Sequence, residues 1–533
     1  MKRRDFLEKG IPAAALLPAM INGYSVKTFG AESALVRALM HGITDTDHVL
    51  VIIQLAGGND GLNMVIPVST YSNYYNARTN IAIPQNRILS LSGITSTGLH
   101  PAMTGIQNIF NNGNMKVIQA VGYPQPNFSH FRATDIWMSG SNSNQEVFSG
   151  WAGRYLNYEY PSFPTGYPNT NSPDPLAIQI GSTTTLTTQG PEVNMAMSIT
   201  NPTSFYNLLS GTTDPVPNTP AGKELKFIRL VNQQTQKYSA VIVNAANSVT
   251  QQVTYPTSNS LGDQLKIVAR LIKGGLKTRI YMVSFGGFDN HSVQVNASDT
   301  TLGTHATLLQ RVSDAIKAFQ DDLQFLQIQN RVIGMTYSEF GRRIKSNSST
   351  GTDHGAAAPM FVFGSMVESG VLGDNPDIPV NASVNDNVPM QYDFRSIYST
   401  ILEKWFCLDK TIVDGLYPPN INNQLQSLPL FKSGLTCNAV TPPPSADDRI
   451  IYNSPNPFTN STRITFKTDG GHTLIQVIDT LGRVIATLLE KEYAVAMTDT
   501  ITFNSEGLPT GIYYARLQNG VKQKVRPMLK VRE

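Results

Sequence analysis

The chain reads as an α/β protein built on a mostly parallel sheet flanked by helices, followed by a small C-terminal antiparallel β-sandwich. Three observations carry this reading. Several strand-length apolar runs are continuous rather than alternating, which marks strands buried on both faces. A long amphipathic segment lies between two of those runs, where a crossover helix belongs. The last 80 or so residues instead alternate apolar and polar positions between Gly and Asp turns, the pattern of half-buried antiparallel strands.

The runs share a second feature, which is where they end. Val49–Leu55 leads into Gly57, Gly58, Asn59 and Asp60. Lys116–Val121 leads through Gly122 to Asn127, Phe128, Ser129 and His130. Arg279–Phe285 ends in Gly286, Gly287, Phe288, Asp289, Asn290 and His291, and Arg331–Thr336 ends in Ser338, Glu339, Phe340 and Gly341. Met360–Phe363 follows Asp353, His354 and Gly355. The helix between the third and fourth runs spans 304–328, with Leu308, Leu309, Val312, Ile316, Phe319, Leu323 and Leu326 at three- and four-residue spacing. Open parallel sheets bind ligands beyond the carboxyl ends of their strands. Several like charges collected on one such rim repel one another unless a cation sits among them. The pattern therefore predicts a divalent metal: zinc for a carboxylate and imidazole set, or magnesium, calcium or manganese for a more oxygen-rich one.

Composition bounds the rest. The 533 residues suffice for more than one domain, and 41% hydrophobic content excludes a wholly disordered chain. A net charge of +3 without a long basic run leaves no phosphate-neutralising patch, so nucleic acid is not an expected partner. No apolar stretch is long enough to span a bilayer. Residues 1–30 read as a signal peptide: Arg3 and Arg4 precede Phe6 and Leu7, then an apolar run over 10–21, which looks like a twin-arginine export signal. Residues 160–275, rich in Asn, Thr, Ser and Pro, read as an insertion in a main domain over 45–435, and 438–449 as a Pro-rich linker. Cys407 and Cys437 are equally compatible with a disulfide or with two thiols, and neither has metal-ligand spacing.

Two resemblances follow from particular residues. In the tail (450–533), the segments 455–458 (PNPF), 479–483 (DTLGR) and 511–513 (GIY) resemble the C-terminal sorting domain of the type IX secretion system of Bacteroidetes. That resemblance implies the type IX machinery as partner and a secreted or cell-surface destination, reached through the periplasm. In the main domain, 57–63 (GGNDGLN), 127–132 (NFSHFR) with 135–137 (DIW), 286–291 (GGFDNH), 338–343 (SEFGRR) and 352–355 (TDHG) resemble the signature blocks of the DUF1501 family. That family is grouped with the alkaline phosphatase-like superfamily, whose members hydrolyse phosphate or sulfate esters at one or two metals.

Carried over by position, the resemblance implies Asp60, Asp289, His291, Glu339 and His354 as metal ligands, with His305 replacing an imidazole that Phe340 displaces. It implies Ser129 as nucleophile and Arg132 as the group that holds an anionic substrate. The spacing of Asp289 and His291 is shorter than the superfamily pattern. Ser129 to Arg132 does not fit a formylglycine sulfatase. Each residue also has a structural reading: Asp60 and Ser129 are placed to cap helices, and His130 reads as a histidine held by structural hydrogen bonds. The expected function is thus an exported metal-dependent hydrolase of phosphate or related anionic esters. The alternative is a non-catalytic cell-surface or glycan-binding protein on an alkaline phosphatase-like scaffold.

Overall fold

The computed structural model describes residues 19–21, 24–26, 46–160, 163–164, 166–200, 238–418, 421, 425–435, 437, 451–479, 483–519 and 522–531. The twin-arginine segment and the 438–449 linker lie outside the described residues, as does 201–237 of the insertion. Two compact units are present, one of residues 47–406 with 420–437, the other of 1–46, 407–419 and 438–533.

In the larger unit the continuous runs form a nine-stranded sheet: β1 (Val49–Ala56), β2 (Met115–Gly122), β3 (Ala177–Ile180), β4 (Ala196–Ile199), β5 (Ile280–Gly286), β6 (Val332–Tyr337), β7 (Ala358–Phe363), β8 (Gly370–Leu372) and β9 (Tyr392–Asp393). The order is β8-β2-β7-β6-β1-β5-β3-β4, with β9 beside β2. All pairings are parallel except those of β7, which runs against both β6 and β2. The 160–275 segment contributes β3 and β4 to one side of this sheet, so part of it belongs to the sheet itself.

Burial on both faces explains the continuous apolar runs. Val49, Val51, Ile53 and Leu55 point into a core with α1 (Thr104–Asn111), α4 (Ser260–Lys273) and α5 (Thr304–Phe325). Leu50 and Ile52, on the opposite face, are equally inaccessible. Helices α2 (His130–Ser139), α3 (Trp151–Glu159) and α6 (Phe394–Thr400) supply an aromatic layer in which Trp137 stacks on Tyr337 of β6 and on Phe394, and Trp151 on Tyr398. Each buried Leu, Ile or Val adds roughly 1.5–3 kcal/mol, which is what holds a parallel sheet with no solvent face. Helix α5 stops three residues before the sequence pattern predicts. Gln327 turns left-handed (φ 58°) and the Ile328 N–H donates to the Leu323 carbonyl, closing a Schellman-type cap.

Of the second unit, the tail is an antiparallel sandwich of β10 (Ile451–Ser454), β11 (Ser461–Thr468), β12 (Gly471–Asp479), β13 (Val484–Tyr493), β14 (Met497–Asn504), β15 (Gly511–Asn519) and β16 (Lys522–Lys530). A three-stranded sheet, β10-β11-β14, faces a four-stranded one, β13-β12-β15-β16. Ile464, Phe466, Ile475, Val477, Phe503, Ala515 and Leu517 fill the space between them. Phe458 of the PNPF segment is buried in that same core. Both cysteines, Cys407 and Cys437, are disulfide-bonded, the first of the two states the sequence leaves open.

One buried ion pair locks the turn after β1. The Arg78 guanidinium, inaccessible to solvent, donates to both Asp60 oxygens (2.8 and 2.7 Å) and to the carbonyls of Arg343 and Ile344 (2.7 and 2.8 Å). Gln294 adds a third donor to Asp60 at 2.6 Å. Burial works to raise the Asp60 pKa, but the charge and hydrogen bond of Arg78, with His305 and Gln294, hold it below the usual range. Asp60→Asn leaves a buried cation without its partner and is expected to cost roughly 3–5 kcal/mol in urea unfolding. Because the folded value is depressed, the stabilisation is complete above the unfolded value of about 3.9 and is lost as pH falls through the lower folded value. The stability–pH curve of Asp60→Asn should therefore lack part of the wild-type acid limb; superimposable curves would refute this assignment.

Candidate metal centre

Loops from five strands meet at one rim. Gly57, at the exit of β1, has φ +123°, and a Cβ there would fall 2.5 Å from the Asp289 backbone nitrogen. Glycine thus lets the β1 exit lie directly against the loop after β5. Since β7 is reversed, the loop before it, with Asp353 and His354, reaches the rim that the loops after β1, β2, β5 and β6 also reach. Arg342 ties them together from below. Its fully buried guanidinium donates to the carbonyls of Gly57, Gly58, Phe288 and Thr352 and, at 2.7 Å, to Asp289 Oδ1.

Above it, His130, Asp289 and His354 each present a ligand atom within 4.8 Å of the other two. His354 Nε2 is 3.3 Å from Asp289 Oδ1, and His130 Nε2 is 3.5 Å from Asp289 Oδ2. His291 joins them, with Nε2 3.1 Å from Asp289 Oδ1 and 2.8 Å from His354 Nε2.

The opposite nitrogens of the three rings are all occupied by acceptors. His130 Nδ1 is 2.8 Å from Glu339 Oε1, His354 Nδ1 is 2.8 Å from the Phe128 carbonyl, and His291 Nδ1 is 3.3 Å from Asp353 Oδ1. An acceptor at Nδ1 requires the hydrogen to be on Nδ1, so in the neutral ring Nε2 carries a bare lone pair. Three such lone pairs and a carboxylate point toward one another. Two imidazole nitrogens 2.8 Å apart repel unless a proton or a cation lies between them. Burial favours the neutral ring at His354, whose pKa is lowered despite the Phe128 bond. Burial alone would raise Asp289, but the Arg342 hydrogen bond and charge outweigh it and keep the group ionised. Three imidazoles and one carboxylate are the donor set of a zinc-type site, and acceptors behind each ring are the arrangement that orients such ligands. The residues fit a divalent cation.

The structure therefore gathers Asp289, His291 and His354 from the sequence-derived candidates. Glu339 is buried one step behind, accepting from His130 Nδ1 and from the Gly57 N–H at 2.9 Å. Asp60 is engaged by Arg78 and Gln294, and its side chain does not cap the short helix that follows. His305 is buried beneath the β1 exit, 2.9 Å from Asn59 Oδ1, and burial pushes its pKa down to about 4. Neither contacts the four converging side chains among the described interactions. Arg132 turns its guanidinium to the carbonyls of Asn142, Ser143 and Gln145. Ser129 is exposed at the start of α2, and its hydroxyl does not cap the helix. Phe340 packs its ring 4.9 Å from that of His130 and 4.4 Å from that of His354, forming an apolar wall.

His130, read from the sequence as a structural histidine, stands in the converging group as well. Its expected structural hydrogen bond exists, to Glu339, but that bond aims the other nitrogen at Asp289. The strand-end rule that singles out Ser129 applies equally to its neighbour, and this was the available signal.

Comparisons with known proteins bear on the two units separately. The family described as "Protein of unknown function (DUF1501)" matches residues 118–411, more than half the chain. The "Secretion system C-terminal sorting domain" matches residues 451–530. Similar solved structures include the PsFucS1 sulfatase from Pseudoalteromonas sp., 11% identical over 88% of this chain and 86% of that one, with a TM-score of 0.32. They also include Ps i-CgsB in complex with k-i-k-neocarrahexaose (10%, 67% and 71%, 0.30) and the alkaline phosphatase of the Antarctic bacterium TAB5 (12%, 59% and 91%, 0.24). At these scores the likenesses carry no argument about activity. No curated protein matches the chain. Among the described residues no helix is long and apolar enough to cross a membrane. The sorting domain marks the protein as secreted or surface-bound, exported through the periplasm by the type IX machinery. By the match over residues 118–411, this chain belongs to the DUF1501 family.

Proposed function

We propose that His130, His291, His354 and Asp289 hold a divalent cation and that the site hydrolyses phosphate or related anionic esters. The observation that supports this most directly is the convergence of three Nε2 lone pairs on an ionised carboxylate, each ring fixed from behind by an acceptor. A cation bound there would polarise an ester oxygen and offset the charge that develops on it. The chain's own groups do the rest. Glu339, Asp353 and the Phe128 carbonyl keep the Nδ1 hydrogens in place, so the rings stay in the ligand form. Arg342 keeps Asp289 oriented and ionised. Phe340 keeps water from one side of the imidazoles. Ser129 lies between the carbonyl that anchors His354 and the ring of His130, with a hydroxyl free of capping duty, and is the nucleophile in this reading.

Elemental analysis of the protein purified without chelator is expected to find about one zinc-like divalent ion per chain for a single four-donor site, and chelation should lower the Tm. Metal-free protein with an unchanged Tm would defeat the proposal. Glu339→Gln should weaken cation affinity ~10–100-fold, because His130 loses the carboxylate that fixes its tautomer; unaltered affinity would place Glu339 outside the mechanism. Ser129→Ala should keep the ion yet lose phosphate monoester and diester turnover by at least about 10³-fold. Turnover equal to wild type would remove the serine from the reaction.

A further inference from the structure

Beside the four converging side chains lies an open cleft of about 490 Å³, in the range of small-molecule sites. We infer that this cleft is a subsite for an uncharged, hydroxyl-rich ring, a sugar unit of a neutral glycan, read by Gln54, Thr134 and Asp135 and stacked on Phe131.

Gln54 carries the argument furthest. It belongs to β1, between β5 and β6, and only 8% of its surface is accessible, yet its side-chain amide makes no hydrogen bond to any described residue. With no partner among the described residues, the amide atoms open on the cleft, and a ligand that displaces water from them must supply the hydrogen bonds. The part of Gln54 that remains accessible lines the cleft. An amide offers a donor and an acceptor together, and a sugar hydroxyl can answer both.

Phe131 supplies the second observation. Its ring is 87% exposed, and it lies on the same face of α2 as Thr134 and Asp135, three and four residues on. All three line the cleft. An aromatic face presented to solvent next to a carboxylate and a hydroxyl suits a ring with C–H groups on one side and O–H groups around its edge. Gly286 and Gly287 supply a floor without side chains, allowing close approach.

Charge selects among ligands. Asp135, Asp289 and Glu339 line the cleft, and among the described residues no Lys or Arg does. Arg132, the nearest cation on α2, is committed to three backbone carbonyls. A polyanion would therefore be repelled from these walls, and an anionic substituent would be accommodated only at the four-ligand cluster. Which substituent of the sugar reacts rests on the hydrolase reading above; binding of the neutral ring does not.

The test is retention of the full chain on immobilised neutral polysaccharides (β-glucan, mannan, xylan and galactan) beside sulfated and uronate polymers and a peptide array, with and without EDTA. Wild type is expected to bind at least one neutral polymer, equally in EDTA, and to lose about tenfold or more in affinity in both Phe131→Ala and Gln54→Leu. Neither change should unfold the protein, since one residue is exposed and the other replacement is apolar and of similar size. Retention only on the polyanions or on peptides, no retention at all, or equal retention in the variants would overturn the inference. Sugar binding that persists in a protein found to hold no metal and to hydrolyse nothing would uphold the subsite and sink the hydrolase.

Discussion

Arg342 is the interaction on which the rim depends. Its guanidinium has five N–H donors in a rigid fork, and the structure spends them on the exits of β1 and β5, on the loop before β7 and on Asp289. Those segments belong to three separate stretches of chain. Backbone carbonyls at such a crossing would otherwise be buried without donors. The same cation sets the electrostatics above it. A carboxylate that accepts from Arg342 stays ionised, and an ionised carboxylate is what the converging imidazoles can share with a positive ion. Lysine could not replace it, since an ammonium has three donors where Arg342 serves five acceptors.

Much of this was legible in the sequence, because burial on both faces leaves a direct imprint. Val49–Leu55, Arg279–Phe285 and Arg331–Thr336 read as strands and are strands, within a residue at either end. The stripe from Leu308 to Leu323 is buried along the helix it predicted. What escaped were features set by groups far apart in the chain. The reversal of β7 depends on its partners, since a continuous apolar run looks the same in either direction. Asp60 ends a strand as Asp289 does, but Arg78, eighteen residues on, takes both of its oxygens. His130 looked structural because a histidine that makes one firm hydrogen bond usually is; nothing local revealed that Glu339 was the partner or where the second nitrogen would point. In the tail, Val484–Tyr493 shows a weak alternation, since half-exposed positions dilute it in a strand paired on one side only.

The departures from the superfamily pattern have a physical reading as well. Phe340 stands where the resemblance would place a histidine, and it serves as a wall for the remaining imidazoles. His130 instead approaches the same carboxylate from α2.

The turnabout of β7 has an evolutionary corollary. Because β6 and β7 are adjacent and antiparallel, the stretch from Ser338 to Ala357 is a single excursion that departs from the sheet and returns to it next door. Glu339, Phe340, Arg342, Asp353 and His354 all ride on that excursion. In an all-parallel sheet, the same side chains would be scattered over loops separated by whole helices. Here they lie on one segment of about twenty residues, so that recombination that exchanged it between relatives sharing the facing carbonyls would hand over the anchor, the wall and an imidazole in one event. Diversification of such a fold can proceed by swapping one contiguous piece rather than by coordinated change at distant positions.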